Sequence, residues 1–229
     1  MRGTIARAVA PAVLAAVVLT GCGPSDGGTS AEGKTGGATA RTHDGAKSGD
    51  DGGDDGPSAG SRTADAARGG SVGGAGSACP LPVTFDHAAD WTPEAVSVDP
   101  ASELAELAQQ GPLTMACEID AKPAGHIGYL RVWTGAAPDD ARKALEAFLA
   151  ADENAGGAAY AEFEAGGLRG VEVTYTETVE VTDETKTERA FAVASPDGPV
   201  VVHLGGLDTA EHEAMLPAYE LAKRTVRVG

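Results

Sequence analysis

The chain has 229 residues, with 34 acidic against 17 basic side chains and a formal net charge of −17. A charge of that size repels phosphate backbones and argues against nucleic acid as a partner. Both Trp, all four Tyr and all four Phe lie beyond residue 78, so a hydrophobic core is excluded from the first third of the chain.

Arg2 and Arg7 give a positive n-region, and an apolar run with Pro11 inside it follows from Ala8 to Leu19. A span of about a dozen residues is too short to cross a bilayer, which takes about 20, but suits the core of a secretory signal. It ends in Leu19-Thr20-Gly21-Cys22, which resembles the lipobox of bacterial lipoproteins. There, small residues admit the peptidase and the thiol is acylated. On this reading residues 1–21 are a signal peptide, and lipidated Cys22 holds the protein on the outer face of the membrane. The alternative is an ordinary signal peptide cut near Gly21, with Cys22 incidental.

Residues 23–78 contain 17 Gly, no aromatic residue and a single bulky aliphatic, Val72. Such a composition buries too little apolar surface to offset the entropy of ordering it. Residues 22–78 therefore read as the lipidated Cys and a disordered tether, with an r.m.s. span of roughly 40 Å. Gly69-Gly70-Ser71-Val72-Gly73 matches the G-x-S-x-G pattern of serine hydrolases, but that motif needs a strained turn from strand to helix. The Asp50–Gly56 acidic run lacks the ligand spacing and closing Glu of an EF-hand and reads as a solvating patch.

Residues 79–229 read as one globular domain of ordinary size. Cys79 and Cys117 remain after lipidation, and in an oxidising compartment an even pair predicts a disulfide. A catalytic or metal-binding thiol is the alternative, and it lacks a C-x-x-C or a paired His.

Along the domain, Leu81–Phe85 opens with a short apolar stretch, followed by Trp91. Asp99-Pro100 predicts a helix start, with Leu104, Leu107 and Ala108 as its apolar face and Gly111-Pro112 as its stop. Leu113–Ile119 and Ile127–Trp133 read as strands around a Lys122–Gly125 turn. Pro138 opens a second helix carrying Ala141, Leu145, Phe148 and Leu149. Alternation from Val171 to Thr182 predicts a strand with one wet face, turning at Asp183–Lys186 into Thr187–Ser195. A further strand spans Val200–Leu204. Asp208 and Glu211 form a capping box for a last helix, which Pro217 should kink or divide. The fold class is α+β: a mostly antiparallel sheet flanked by helices.

The lipobox, the tether, Leu81-Pro82-Val83-Thr84-Phe85 before Trp91, and Leu216-Pro217-Ala218-Tyr219 before Thr225 resemble small actinobacterial lipoproteins of the LpqN type. The resemblance implies the α/β/α sandwich of the PsbP and Mog proteins. It also implies a binding or accessory role without catalysis, and it carries over no functional residue.

Chemistry is sparse in the pattern. His212-Glu213 begins like H-E-x-x-H, but Leu216 fills the second His position. His87, His126 and His203 are dispersed, so no metal or cofactor is expected. Ser195 precedes Pro196 in turn composition and reads as structural. Glu172, Glu177, Glu180, Glu184 and Glu188 could pair for acid–base work, but they read instead as charges that keep the wet face of the hairpin soluble and discourage edge-to-edge pairing. Trp91 is the candidate partner-binding residue, because large aromatics lead binding hot spots. A core role is its alternative.

The expected function is that of a non-enzymatic, membrane-anchored accessory module for another envelope component, protein or lipid-like. The rivals are a hydrolase with a site assembled from distant residues, and a carrier of a small apolar ligand.

Overall fold

The structure, a computed structural model, describes residues 65–99, 101–136 and 140–229. Cys22, the signal segment and the tether up to residue 64 lie outside the described residues, as do Pro100, Pro138 and Asp139.

The first strand, β1 (Arg68–Val72), already stands inside the segment read as tether. It runs antiparallel to β2 (Val83–Ala88), with Val72 opposite Phe85 and fully buried. The fold thus begins before Cys79, correcting the expected boundary. The glycines counted there as flexibility have a packing use. At Gly73 (φ +99°) a Cβ would collide with the Val83 carbonyl, so only glycine lets the chain pass. The G-x-S-x-G lookalike lies on this strand, and the Ser71 hydroxyl donates to Asp86 in place of standing free at an elbow.

After β3 (Thr92–Ala95) the expected helix is absent: one 3-10 turn, Ala105–Ala108, leads to β4 (Gln109–Gln110). Leu104 and Leu107 are 62% and 72% exposed. A short apolar stripe with nothing to pack on cannot repay helix nucleation. Next come β5 (Leu113–Asp120) and β6 (Gly128–Thr134), the two strands expected there. Helix α1 (Ala141–Ala150) is N-capped by Asp140, whose carboxylate accepts from the Lys143 amide at 2.8 Å.

Two long hairpins and a helix complete the chain. β7 (Ala155–Ala165) and β8 (Leu168–Val179) join through Gly166-Gly167, both at positive φ as a tight two-residue turn requires. β9 (Glu184–Ser195) begins three residues before the expected Thr187, and Val181 is a solvent-exposed turn residue. β10 (Gly198–Gly206) leads into α2 (Thr209–Thr225), and β11 (Arg227–Val228) ends the fold. Pro217 does not divide α2. Asp208 caps it, accepting from the Glu211 amide at 2.8 Å, but the Glu211 carboxylate turns away to His126 and the Ile127 amide.

The large sheet has the order β3-β5-β6-β10-β9-β8-β7, with β4 beside β5, and every pairing is antiparallel. α1 covers one face over Leu113, Trp133, Val173, Tyr175, Ala190 and Val201. α2 and the small sheet β1-β2-β11 cover the other over Ile119, Leu130, Phe191, Val193 and Val202. The sheet is thus an α+β sandwich filling, not a sheet with one wet face. Its central strands β9 and β10 are apolar on both sides, which is why Ala190–Val193 and Val200–Val202 are all fully buried. Cys79 and Cys117 form a disulfide with Cα atoms 5.7 Å apart, tying the loop before β2 to β5.

Candidate functional site

The sandwich buries one cluster of ionisable groups where β10 leaves the sheet for α2. Glu188 on β9 lies opposite Tyr175 on β8. Both side chains share the α1 face with His203 of β10, by the alternation that puts Val173, Ala190 and Val201 there. Glu188, expected on a wet face, is fully buried. Its Oε2 lies 3.0 Å from His203 Nε2, and its Oε1 lies 2.8 Å from Lys186 Nζ. Lys186 also donates to the Gly206 carbonyl at 3.0 Å and stands 3.6 Å from Glu177. Tyr175 Oη lies 3.0 Å from the same His203 Nε2. From α2, His212 brings Nδ1 to 4.0 Å from Glu188 Oε2, and neither of its ring nitrogens has a hydrogen-bond partner among the described residues. Glycine at 205 leaves room for the His203 ring, whose edge would meet a Cβ there at 3.3 Å.

The electrostatics follow from burial and mutual charge. Burial pushes the Glu188 carboxyl up, but His203 and Lys186 outweigh it and hold the group below the usual carboxylate range. Burial would lower Lys186, yet Glu188 and Glu177 keep it raised. The Tyr175 phenol is pushed far up, first by burial and then by the charges of Glu188, Glu177 and Asp152. Burial brings His212 down to about 4, with Glu188 opposing and Arg189 and His203 adding to the effect.

An ionised Glu188 can only accept, so the His203 Nε2 carries the hydrogen that it shares with Glu188 and the Tyr175 oxygen. A hydrolytic triad needs the opposite layout, with the carboxylate on one imidazole nitrogen and the nucleophile on the other. A cleft of about 290 Å³ reaches His203 and Tyr175 between Trp133, Phe148, Met115 and Gln110. Phe148 of α1 packs 5.4 Å from the His203 ring, centroid to centroid.

The other residues singled out in the sequence do not join this cluster. Ser195 Oγ donates to the Gly198 carbonyl at 2.8 Å and serves the turn. His87 meets the Ala88 carbonyl at 3.0 Å and His126 meets Glu211 at 2.8 Å. Trp91 is 5% exposed within the core shared by β2, β5 and α2, so little of its surface is free to a partner. Among the described residues no group of three or more His, Cys, Asp or Glu is placed to hold a metal ion, and no helix is long and apolar enough to cross a membrane. Glu177, Glu188, His203 and His212 stand out in the sequence singly, but nothing there brings them together or adds Tyr175 and Lys186. The one signal is that Glu188 and His203 each stand within four residues of an unbroken apolar run.

A second feature lies at the sheet edge. β7 ends the large sheet, and a groove of about 710 Å³ crosses the sheet face inward from it, lined by Glu162 and Glu164 of β7, Arg169 and Val171 of β8, Ala194 of β9 and Arg142 at the start of α1.

Fold and site together define a three-layer α+β sandwich with a buried ionic cluster in which Glu188 is paired with His203 and Lys186. The chain belongs to a family described as uncharacterised lipoprotein, whose model matches residues 49–226. Membership in it carries membrane anchoring through a lipid. No curated protein matches the chain. It is similar to the solution structure of cyanobacterial PsbP (CyanoP) from Synechocystis sp. PCC 6803. That likeness covers 70% of this chain and 98% of the other, at 15% identity and a TM-score of 0.46.

Proposed function

We propose that this protein is a non-enzymatic accessory lipoprotein, held by Cys22 on the outer face of the membrane, whose sandwich binds another component of the envelope. The reading extends to the LpqN-type lipoproteins that the sequence resembles. One observation carries it: the carboxylate and the phenol meet on the same nitrogen of His203, and the phenol is held protonated. An imidazole whose Nε2 hydrogen is shared in this way does not take the proton of that phenol, and a protonated phenol is a poor nucleophile. The cluster is then a structural device, and the protein acts through its surface. The tether between Cys22 and the fold lets that surface search close to the membrane.

The test is complementation of a deletion strain with Tyr175→Phe in the full lipidated chain. Its folding is checked by circular dichroism and melting temperature of the purified protein. A folded variant that restores the cellular phenotype supports a binding role. A folded variant that fails to restore it favours the hydrolase reading, with the phenol in the chemistry.

A further inference from the structure

We propose that the outer edge of β7 takes up an extended, cationic segment of another envelope protein by strand addition. This names the partner chemistry for the binding role above and rests on it.

The two edges of the large sheet are built differently. β3, at one end, has four residues and includes Pro93, which has no amide to offer. β7, at the other, runs eleven residues without Pro or Lys, and among the described residues nothing pairs with its outer side. Exposed edges of that length are ordinarily blunted, because their free N–H and C=O groups recruit other strands. The only blunting on β7 is a register shift between Gly156 and Ala159, plus Glu162 and Glu164.

The hairpin register says which groups are offered. The turn closes on the Ala165–Leu168 pair, so Ala165, Phe163 and Ala161 spend their backbone groups on β8. Tyr160, Glu162 and Glu164 direct theirs outward. These three alternate residues form a template for an antiparallel or parallel guest strand.

Charge selects the guest. Glu164 has Arg169 at 3.6 Å, and Arg142 is occupied by Glu146 at 2.7 Å while lying 3.6 Å over the Tyr160 ring. Glu162 on the edge, and Glu153 just before it, have no cation within 4 Å among the described residues. A guest bearing Lys or Arg compensates them. A second copy of this chain would bring another 17 net negative charges to the same edge.

The probe is a synthetic seven-residue peptide alternating Lys and Val, compared with its Glu–Val counterpart, on the full chain in detergent. Binding is followed by fluorescence anisotropy, and edge protection by hydrogen–deuterium exchange of the β7 segment. The Lys–Val peptide should bind and slow exchange in residues 155–165, and the Glu–Val peptide should not. Glu162→Pro removes one outward amide that the fold does not use, and should weaken binding about tenfold, as loss of one hydrogen bond to a charged edge would. Glu162→Lys, with no backbone change, should also weaken it. Failure of the Lys–Val peptide to slow exchange, or binding unaltered in both variants, overturns the inference. So does protection that rises with protein concentration alone, which would mean a second copy. So does protection already present that vanishes when residues 23–64 are deleted, which would mean the chain's own N-terminal segment. The Tyr175→Phe complementation reads the accessory role separately. Its failure with peptide uptake intact removes that role and leaves the edge site standing.

Discussion

Glu188 and His203 meet at 3.0 Å, Oε2 to Nε2, beneath α1 in a place the sequence pattern assigns to solvent. The pair is one link in a line that runs from Tyr175 through His203 and Glu188 to Lys186, with His212 at 4.0 Å on the far side. Glu188 is the member that joins Lys186 to the imidazole, so its loss leaves Lys186 with the Gly206 carbonyl and, as its one remaining carboxylate within 4 Å among the described residues, Glu177 at 3.6 Å.

Glu188→Ala should therefore cost about 3–5 kcal/mol, the range for breaking a buried ion pair by removing one partner. Glu188→Gln keeps the volume and should cost less. Urea denaturation at pH 7 measures both. A double-mutant cycle with His203→Gln should give a coupling of about 0.5–3 kcal/mol, as for groups in direct contact. Additive effects would mean the two residues do not act together.

His212 predicts the acid limb of the stability curve. Its folded value is about 4 against 6.5 for a free imidazole. Between those values the unfolded chain binds a proton that the fold refuses, so stability rises with pH there. The contribution is complete above about 6.5 and is lost on the way down to about 4, for a total of roughly 3 kcal/mol. The depressed Glu188 carboxyl adds a further loss below the ordinary carboxylate value of 4.5. His212→Leu, which removes the titrating ring and keeps an apolar side chain in its place, should flatten the curve between pH 4 and 6.5 in denaturation series. An unchanged slope would place the titration elsewhere.

What was legible in the sequence followed from local chemistry. The Asp208 cap, the β5 and β6 strands and the Cys79–Cys117 bond depend on neighbours in sequence or on a count of two. Layering was not legible. Over Val171–Thr182 the alternation holds in part, with Val173 and Tyr175 buried under α1 and Thr176, Glu180 and Thr182 exposed, whereas the neighbouring β9 and β10 are covered on both sides. Glu188 reads as a solvent residue from its charge, because only the pairing with Tyr175 shows that it shares the face roofed by α1. β7 escaped notice because Ala155-Gly156-Gly157-Ala158-Ala159 has no strand propensity, and pairing with β8 supplies what propensity does not. The 3-10 turn at Ala105–Ala108 is the converse, a helical stripe at Leu104 and Leu107 with no surface to bury it.

The disulfide should be a major support of the fold. It links residues 38 apart, and closing such a loop in the unfolded chain corresponds to about 4 kcal/mol in the chain-entropy model. Cys79→Ala with Cys117→Ala leaves two small, buried apolar side chains and isolates that effect. The variant should lose most of this stability by urea denaturation, and a reducing agent should destabilise the parent but not the variant. Equal stability of the two would mean that the unfolded chain is already restricted.

The last prediction concerns where the domain starts. Composition sets the boundary at Cys79, whereas β1 puts Val72 in the core and pairs Arg68–Val72 with β2. β2 in turn carries Val83 and Phe85 into the same core and holds β11 on its other side. Removing β1 strips the β2 edge of its partner, uncovers Phe85 and frees the Asp86 carboxylate from Arg68 and Ser71. A fragment of residues 79–229 should then melt below one of residues 65–229, and it should show faster amide exchange in Val83–Ala88. The longer fragment should match the full chain in both measurements. Val72→Asp within it should reproduce most of the loss, because an unpaired carboxylate would occupy a fully buried site. If the two fragments melt together, β1 is an appendage and the boundary returns to Cys79.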